Sequence, residues 1–136
     1  MFCGAGGLSL GAKLAGFQVK WGVDKDAKAL ETYIRNHHTV TPYHQGIFEF
    51  MKTIAQPEKS IDVLLAALPC QEFSSANICG NIFDMTESNI LTITISEAVQ
   101  ILHPKILVFE NVHEFINQTK SKDICQVFLD NLSDIR

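Results

Sequence analysis

A glycine-rich turn near the start of the 136-residue sequence has the composition of a ligand-binding loop. It begins at Phe2 and contains Gly4, Gly6 and Gly7, and glycines allow a tight turn and a close approach of a ligand to the main chain. The dinucleotide-binding fingerprint fits poorly, because Ser9 occupies the position of its third glycine. The turn therefore favours a ligand other than a dinucleotide.

An acidic residue, Asp24, follows the next predicted strand. A carboxylate at this place can accept hydrogen bonds from both hydroxyl groups of a ribose. Adenosine without a pyrophosphate, as in S-adenosylmethionine, fits the combination of turn and acid better than NAD does. The alternative is a structural glycine turn followed by an acid that caps a helix, and the residues alone leave both interpretations open.

A cysteine, Cys70, lies directly after the apolar segment 61–67. A nucleophilic thiol needs partial exposure and a stabilised thiolate, and a loop after a strand can supply both. A lone cysteine is more often a small core residue. The flanking Pro69 and the polar Gln71 and Ser74 favour the loop, and with it the nucleophile.

A carboxylate, Glu110, ends the second strongly apolar segment, 105–109, and is followed by Asn111 and Val112. In the crevice that holds the cysteine loop it could act as an acid. Taken alone, this tripeptide favours the other interpretation, a solvated glutamate at the end of a strand.

Predicted helices and strands alternate along the chain. This order predicts an α/β sheet with parallel strands and right-handed crossovers, in which ligands bind beyond the carboxyl ends of the strands. Asp26 is the expected N-cap of the second helix, whose buried stripe should contain Ala29, Leu30, Tyr33 and Ile34. The predicted helices are 8–16, 26–37, 86–102 and 123–132, the strands are 17–23, 61–67 and 105–109, and a short strand near Tyr43 precedes a helical turn at 48–54.

The composition limits the class of protein. Apolar residues make up 46% and charged residues 19%, which supports a buried core in one domain, and the net charge of −4 excludes a simple basic coat for nucleic acid. The apolar runs are too short to span a membrane. No metal site is expected, because the histidines offer only the adjacent pair His37 and His38. The cysteines form no C-x-x-C pair, and we predict an intracellular protein with reduced thiols.

In chain order, these groups resemble the motifs of the DNA (cytosine-5)-methyltransferases. Residues 2–7 are similar to the first motif of that family, and residues 23–27, with Asp24 and Lys25, are similar to the second. Residues 69–74 resemble the catalytic loop, and residues 110–112 resemble the sixth motif. Each motif alone is a weak to moderate indication, but their joint occurrence in this order is highly specific.

The resemblance implies a Rossmann-like S-adenosylmethionine-dependent methyltransferase sheet. Cys70 would attack C6 of a cytosine flipped out of double-stranded DNA, and Glu110 would hydrogen-bond or protonate N3 of the base. Gln71, Ser74 and Asn111 would lie in or brace the catalytic loop and face DNA. The residues expected to bind the cofactor are Phe2, Gly4, Gly6, Gly7, Asp24, Lys25, Ile47, Pro69 and Leu91.

The sequence also departs from the family pattern. The Gly-Asp-Ile motif appears as Gln45-Gly46-Ile47, Ala67 stands where glycine is usual, and no arginine precedes Leu91. Only Met1 precedes the first motif, and the sequence stops before the Gln-x-Arg-x-Arg motif and the target-recognition domain. We therefore expect residues 1–136 to form a partial catalytic domain, without a full first strand, that is inactive alone and aggregation-prone.

Three functions remain open at this stage. The chain could be a truncated or split DNA methyltransferase that a second chain completes. It could instead be a non-catalytic remnant that binds the cofactor or a partner. A tRNA-methylating branch shares the Pro-Cys-Gln loop, so a tRNA cytosine-5 methyltransferase fragment is the third possibility.

Overall fold

The computed structural model describes residues 1–54, 61–69, 87–113, 115 and 119–133. Helices and strands alternate along them, as the sequence predicted. In chain order the elements are α1 (Gly7–Leu14), β1 (Trp21–Asp24), α2 (Ala27–Asn36), β2 (Thr41–His44), α3 (Ile47–Ile54), β3 (Val63–Ala67), α4 (Glu87–Leu102), β4 (Ile106–Glu110) and α5 (Thr119–Ser133).

The described strands form two parallel pairs. β1 pairs with β2 in the register Trp21↔Thr41, and β3 pairs with β4 in the register Val63↔Ile106. A parallel pair needs a crossover between its strands, and α2 connects the first pair. These pairs confirm the predicted α/β class with parallel strands.

Residues 1–3 lie between the two strand pairs. The amino group of Met1 donates to the carbonyl of Leu65 in β3 at 2.5 Å, and its carbonyl accepts from the amide of Ala67 at 3.4 Å. On the other side, the amide of Cys3 donates to the carbonyl of Val23 in β1 at 3.0 Å. The start of the glycine turn is therefore fixed to both pairs.

Helix α2 begins where the sequence predicted, because the Asp26 side chain accepts hydrogen bonds from the amides of Lys28 and Ala29. Leu30 and Tyr33 form its buried stripe. Ile34, also expected there, is 46% exposed, so that part of the prediction was wrong.

Helix α4 crosses the main core in spite of its β-branched residues. Thr92 and Ile95 are fully buried, and the Thr94 hydroxyl donates to the carbonyl of Ile90 at 2.9 Å. A threonine in a helix can satisfy its hydroxyl in this way on the preceding turn. Tertiary burial thus outweighs the weak helix propensity of this run.

Three other sequence expectations need correction. The strand predicted at 17–23 begins only at Trp21, and Phe17 is 50% exposed. The apolar segment 105–109 was expected to be a buried strand, but in β4 Ile106 is 55% and Val108 is 39% exposed. The last helix begins at Thr119, four residues before the predicted start at 123. Among the described residues, no helix has the length and apolarity needed to span a membrane.

Candidate functional site

The glycine turn has a main-chain conformation that depends on glycine. Gly4 has a φ of +50° and Gly6 a φ of +100°, and Gly6 is the N-cap of α1. Phe2, with a φ of +53°, shares this left-handed region, which costs a non-glycine residue about 1–2 kcal/mol. A Cβ at Gly4 or Gly7 would meet no atom of the described residues within 4 Å, so the described part of the chain leaves the main chain of the turn open on that side.

Asp24 braces the turn from the end of β1. One carboxylate oxygen accepts the Gly4 amide at 2.8 Å, and the other accepts the Asp26 amide at 2.9 Å. The helix cap itself is Asp26, so Asp24 is not the capping acid of the alternative interpretation. Each carboxylate oxygen can accept a further hydrogen bond, which leaves Asp24 able to bind a ligand hydroxyl.

A cavity of about 480 Å³ lies between the glycine turn and the ends of β3 and β4. Phe2, Gly4 and Gly7 line it from the turn, and Ala67 and Glu110 line it from the strands. This volume falls in the range of small-molecule sites, roughly 300–1,000 Å³. The cavity therefore brings predicted cofactor-binding residues together with the predicted acid.

The carboxyl ends of β3 and β4 lie level with each other. Ala67 is the register partner of Glu110, and the Leu68 amide donates to the Glu110 carbonyl at 3.3 Å. The Glu110 side chain is exposed at the cavity. The segment that leads to Cys70 and the segment that begins at Asn111 therefore leave the sheet side by side.

Asn111 has one satisfied and one unsatisfied side-chain group. Its Oδ1 accepts the amide of Val112 at 2.8 Å, whereas its buried Nδ2 has no hydrogen-bond partner among the described residues. A buried donor without a partner costs free energy. The Asn111 Nδ2 group is therefore available to donate to an additional acceptor near the carboxyl end of β4.

Cys3 lies in the cavity wall but has the environment of an inert thiol. Burial and the nearby negative charge of Asp24 raise its pKa from 9.0 to about 11. The thiolate is the nucleophilic form of cysteine, so this shift suppresses reaction at neutral pH.

The other predicted site residues lie in different environments. Ile47 and Leu91 are core residues, 6% and 7% exposed, whereas Pro69 is exposed just beyond β3. Lys25 is exposed, and its carbonyl accepts a hydrogen bond from His44. The predicted nucleophile and its neighbours, Cys70, Gln71 and Ser74, fall outside the described residues.

Comparison with known proteins assigns the chain to a family. The family model for C-5 cytosine-specific DNA methylase matches residues 1–136. The chain belongs to this family. The DNA methylase chain is 31% identical over 131 residues to the Type II methyltransferase M.HindV of Haemophilus influenzae, and 29% identical over 134 residues to M1.HphI of Haemophilus parahaemolyticus.

A solved structure gives the same result for the fold. It is described as a DNA modification methyltransferase encoded within a prophage of E. coli, and it matches 97% of the DNA methylase chain with a TM-score of 0.76 and 30% identity. The matched part is 36% of that structure, and 42% and 35% of M.HindV and M1.HphI. The chain thus spans well under half the length of these proteins.

Sequence reasoning missed one group of residues that shapes the site of this DNA methylase chain. His37 Nε2 lies 3.1 Å from the Gly6 carbonyl oxygen, and the Tyr33 hydroxyl lies 3.1 Å from the Ser9 hydroxyl. Tyr33 was expected in the core, but His37 was considered only as one of two adjacent histidines. Its spacing of four residues from Tyr33 on α2 was the available signal. Within the described part of the chain, no cluster of residues could hold a metal ion.

Proposed function

We propose that this chain carries the cofactor-binding and base-activating groups of an S-adenosylmethionine-dependent methyltransferase that acts on C5 of cytosine in DNA. The cavity between the glycine turn and the ends of β3 and β4 carries the proposal, because Glu110 and the turn line it together. Membership of the C-5 cytosine-specific DNA methylase family agrees with this chemistry.

The residues around the cavity fit S-adenosylmethionine, which would supply the methyl group. The open main chain at Gly4 and Gly7 can receive the amino-acid part of the cofactor, and Asp24 retains acceptor positions for the ribose hydroxyls. Phe2 offers an aromatic face for the adenine. Ala67 adds one methyl group to the opposite wall and limits the space there.

Cytosine C5 is a weak nucleophile, so the base has to be activated before it can accept a methyl group. In the proposed reaction the Cys70 thiolate forms a bond to C6, and the displaced electron pair makes C5 an enamine-like carbon. Glu110 hydrogen-bonds or protonates N3 and so offsets the charge that develops in the ring. C5 would then accept the methyl group of the cofactor, which leaves as the thioether S-adenosylhomocysteine. Transfer of the C5 proton to a solvent base and release of the Cys70 thiolate restore the aromatic ring, now methylated.

The substrate is proposed to be a base that has left the DNA stack. A cytosine inside a duplex does not expose C6 to a protein thiol, so the base has to rotate out into the pocket. The net charge of −4 shows that attraction for phosphate is not supplied by the 136 residues as a whole. We propose that groups outside these residues, on the same polypeptide or on a second chain, contribute DNA binding and target recognition.

Cofactor binding can be tested on the 136-residue chain by calorimetry with S-adenosylmethionine. Asp24→Asn should weaken binding about tenfold or more, because one charged acceptor that braces Gly4 becomes a neutral amide. Asp62→Asn is the matched control, since Asp62 is an exposed carboxylate paired with Lys105. Equal affinities for Asp24→Asn and Asp62→Asn would contradict the assignment of Asp24.

Chemistry can be tested with a duplex that contains 5-fluorocytosine, in which the fluorine at C5 blocks release of the covalent adduct. An adduct that forms with the chain and vanishes in Cys70→Ser, but persists in Cys125→Ser, would support Cys70 as the nucleophile. Cofactor binding without any adduct, even with the groups that recognise the target present, would favour the non-catalytic remnant.

The nucleic-acid substrate can be tested by measuring transfer of a tritiated methyl group to DNA and to tRNA in parallel. Robust turnover of DNA by the 136 residues alone would refute the need for further groups.

A further inference from the structure

We infer that His37 is a positioning residue for the cofactor loop, and that its neutral ring fixes the main chain of Gly6 by donating to the Gly6 carbonyl. The inference rests on the proposed role of the glycine turn in cofactor binding. His37 is only 3% exposed, and its Nε2 lies 3.1 Å from the Gly6 carbonyl oxygen, across 31 residues of sequence.

The ring of His37 occupies the space that a side chain at position 6 would need. A Cβ at Gly6 would lie 2.1 Å from His37 Nε2 and 2.5 Å from its Cδ2. The φ of +100° at Gly6 separately disfavours any other residue. Glycine at position 6 and histidine at position 37 therefore form one contact, in which the ring packs directly on the turn.

Tyr33 extends this contact on the same helix face. Its ring centroid is 4.5 Å from that of His37, and its hydroxyl lies 3.1 Å from the Ser9 hydroxyl in the first turn of α1. A Cβ at Gly22 would lie 2.6 Å from the Tyr33 hydroxyl oxygen, so this ring also packs closely on β1. The tilted rings of Tyr33 on α2 and of His37 at its C-cap thus hold the turn, the start of α1 and β1 together.

The hydrogen bond shows which ring nitrogen of His37 carries a hydrogen, and the other nitrogen indicates the charge of the ring. A carbonyl oxygen only accepts, so Nε2 must carry the hydrogen. Nδ1 is buried without a hydrogen-bond partner among the described residues. A neutral ring leaves a bare lone pair at Nδ1, whereas a protonated ring would bury a charged N–H group with no acceptor, at a much higher cost.

The surroundings also favour the neutral ring. Burial lowers the pKa of His37, and the positive charges of Lys13 on α1 and of His38 in the turn after α2 lower it further, while the Gly6 hydrogen bond opposes them. Tyr33 and Ser9 are the other polar groups of this contact, and both are uncharged near neutral pH. Acid should therefore loosen the turn by protonating His37.

The wild-type chain provides a test that needs no ligand. Nitrogen-15 NMR should show His37 as the Nε2–H tautomer at pH 7, with a pKa below the ordinary histidine value of 6.5. An Nδ1–H tautomer, or a charged ring at pH 7, would overturn the inference. This result does not depend on cofactor binding, so it separates the inference from the proposed function.

Variants test the effect on the turn. His37→Phe keeps a ring of similar size but has no donor, and the exposed neighbour His38→Phe is the matched control. In His37→Phe, amide exchange at Leu10, whose N–H donates to the Gly6 carbonyl, should rise at least tenfold while exchange in β3 and β4 is unchanged. Unchanged exchange at Leu10 would refute the positioning role, and a uniform rise across the chain would identify a merely structural one.

Binding of S-adenosylmethionine completes the test. We expect His37→Phe to weaken binding about tenfold, His37→Gln to restore part of it because its amide can donate to the Gly6 carbonyl, and His38→Phe to change nothing. Wild-type affinity should also fall below the pKa of His37, and this acid dependence should be absent in His37→Phe. Binding that is the same in all variants would refute the positioning role of His37. Absence of binding by the wild type would count against the proposed function, and the NMR and exchange experiments would then test the role of His37 on their own.

Discussion

The glycine turn is held by individual polar contacts from residues that are distant in sequence. Asp24 accepts the Gly4 amide and His37 lies against the Gly6 carbonyl, so neighbouring peptide groups of one loop are fixed from β1 and from α2. A loop that is fixed before its ligand arrives loses less conformational freedom on binding. At the scale of single residues, the site is therefore largely preorganised.

The same environment predicts an unreactive Cys3. Because its pKa is raised to about 11, the thiolate fraction at pH 8 is about 100-fold lower than for a thiol of pKa 9.0, and the folded chain should react with iodoacetamide roughly 30- to 100-fold more slowly than the urea-unfolded chain. Peptide mass spectrometry after timed alkylation measures this ratio. The rate should then climb about tenfold per pH unit up to pH 10, and a rate independent of pH would show that steric shielding, not the pKa, protects the thiol.

At the scale of elements, the contact between β4 and α5 is aromatic. The ring of Phe109 lies 4.9 Å from that of Phe128 on α5 and 5.3 Å from that of Phe115, measured between centroids. Phe128 is 4% exposed, so α5 covers this part of the core with one large side chain. The attachment of α5 should depend strongly on it.

Phe128→Ala should lower the free energy of unfolding by about 3–4 kcal/mol, the range for removal of a buried aromatic ring. The neighbouring Val127 is 45% exposed, and Val127→Ala should cost less than about 1 kcal/mol. Urea unfolding followed by circular dichroism compares the two variants. Similar losses would mean that α5 contributes little to the core.

The positions of the helices and strands were predicted better from the sequence than the exposure of their side chains. The segments around Tyr43 and 48–54 became β2 and α3, and Asp26 capped α2, because these features depend on local signals. The exposure of Ile34 and Ile106 depends on which elements pack beside them, and a single sequence does not contain that information. The contact of His37 with Gly6 likewise arises only when α2 folds against the turn. The sequence shows that a histidine and a glycine are present, but not that they are in contact.

At the scale of the whole molecule, the two strand pairs share one main core. Val23 of β1, Leu64 of β3 and Leu102 of α4 belong to the same buried cluster. Residues 1–3 join the pairs through the main chain, and in a chain that begins at Met1 this buries the Met1 amino group. Burial disfavours the charged form of an amine, so the stability of such a chain depends on pH.

Stability of the chain that begins at Met1 should rise between pH 6 and pH 8. Burial lowers the pKa of the Met1 amine from 8.0 to about 6, so the unfolded chain binds more protons in this range and acid favours unfolding. Two pKa units correspond to about 2–3 kcal/mol. Urea unfolding at several pH values measures how the free energy of unfolding changes with pH. The experiment is also done with His37→Phe, which removes the other base whose pKa is lowered by burial.

A chain acetylated at Met1 has no titrating amine and is the control for this experiment. Its stability should depend much less on pH between 7 and 8, a range above the ordinary histidine pKa of 6.5. A slope that is the same with and without the acetyl group would show that another group governs the pH dependence.

The level ends of β3 and β4 also determine where the chain can change length. One residue inserted between Val63 and Ala67 would advance everything after it by about 3.3 Å and turn each following side chain to the opposite face of the sheet. Pro69 would then no longer leave the sheet beside Asn111, since Ala67 would lose its register with Glu110. Insertions and deletions should therefore be tolerated at the amino ends of these strands, near Asp62 and Lys105, and be destructive over the five residues that precede the cavity.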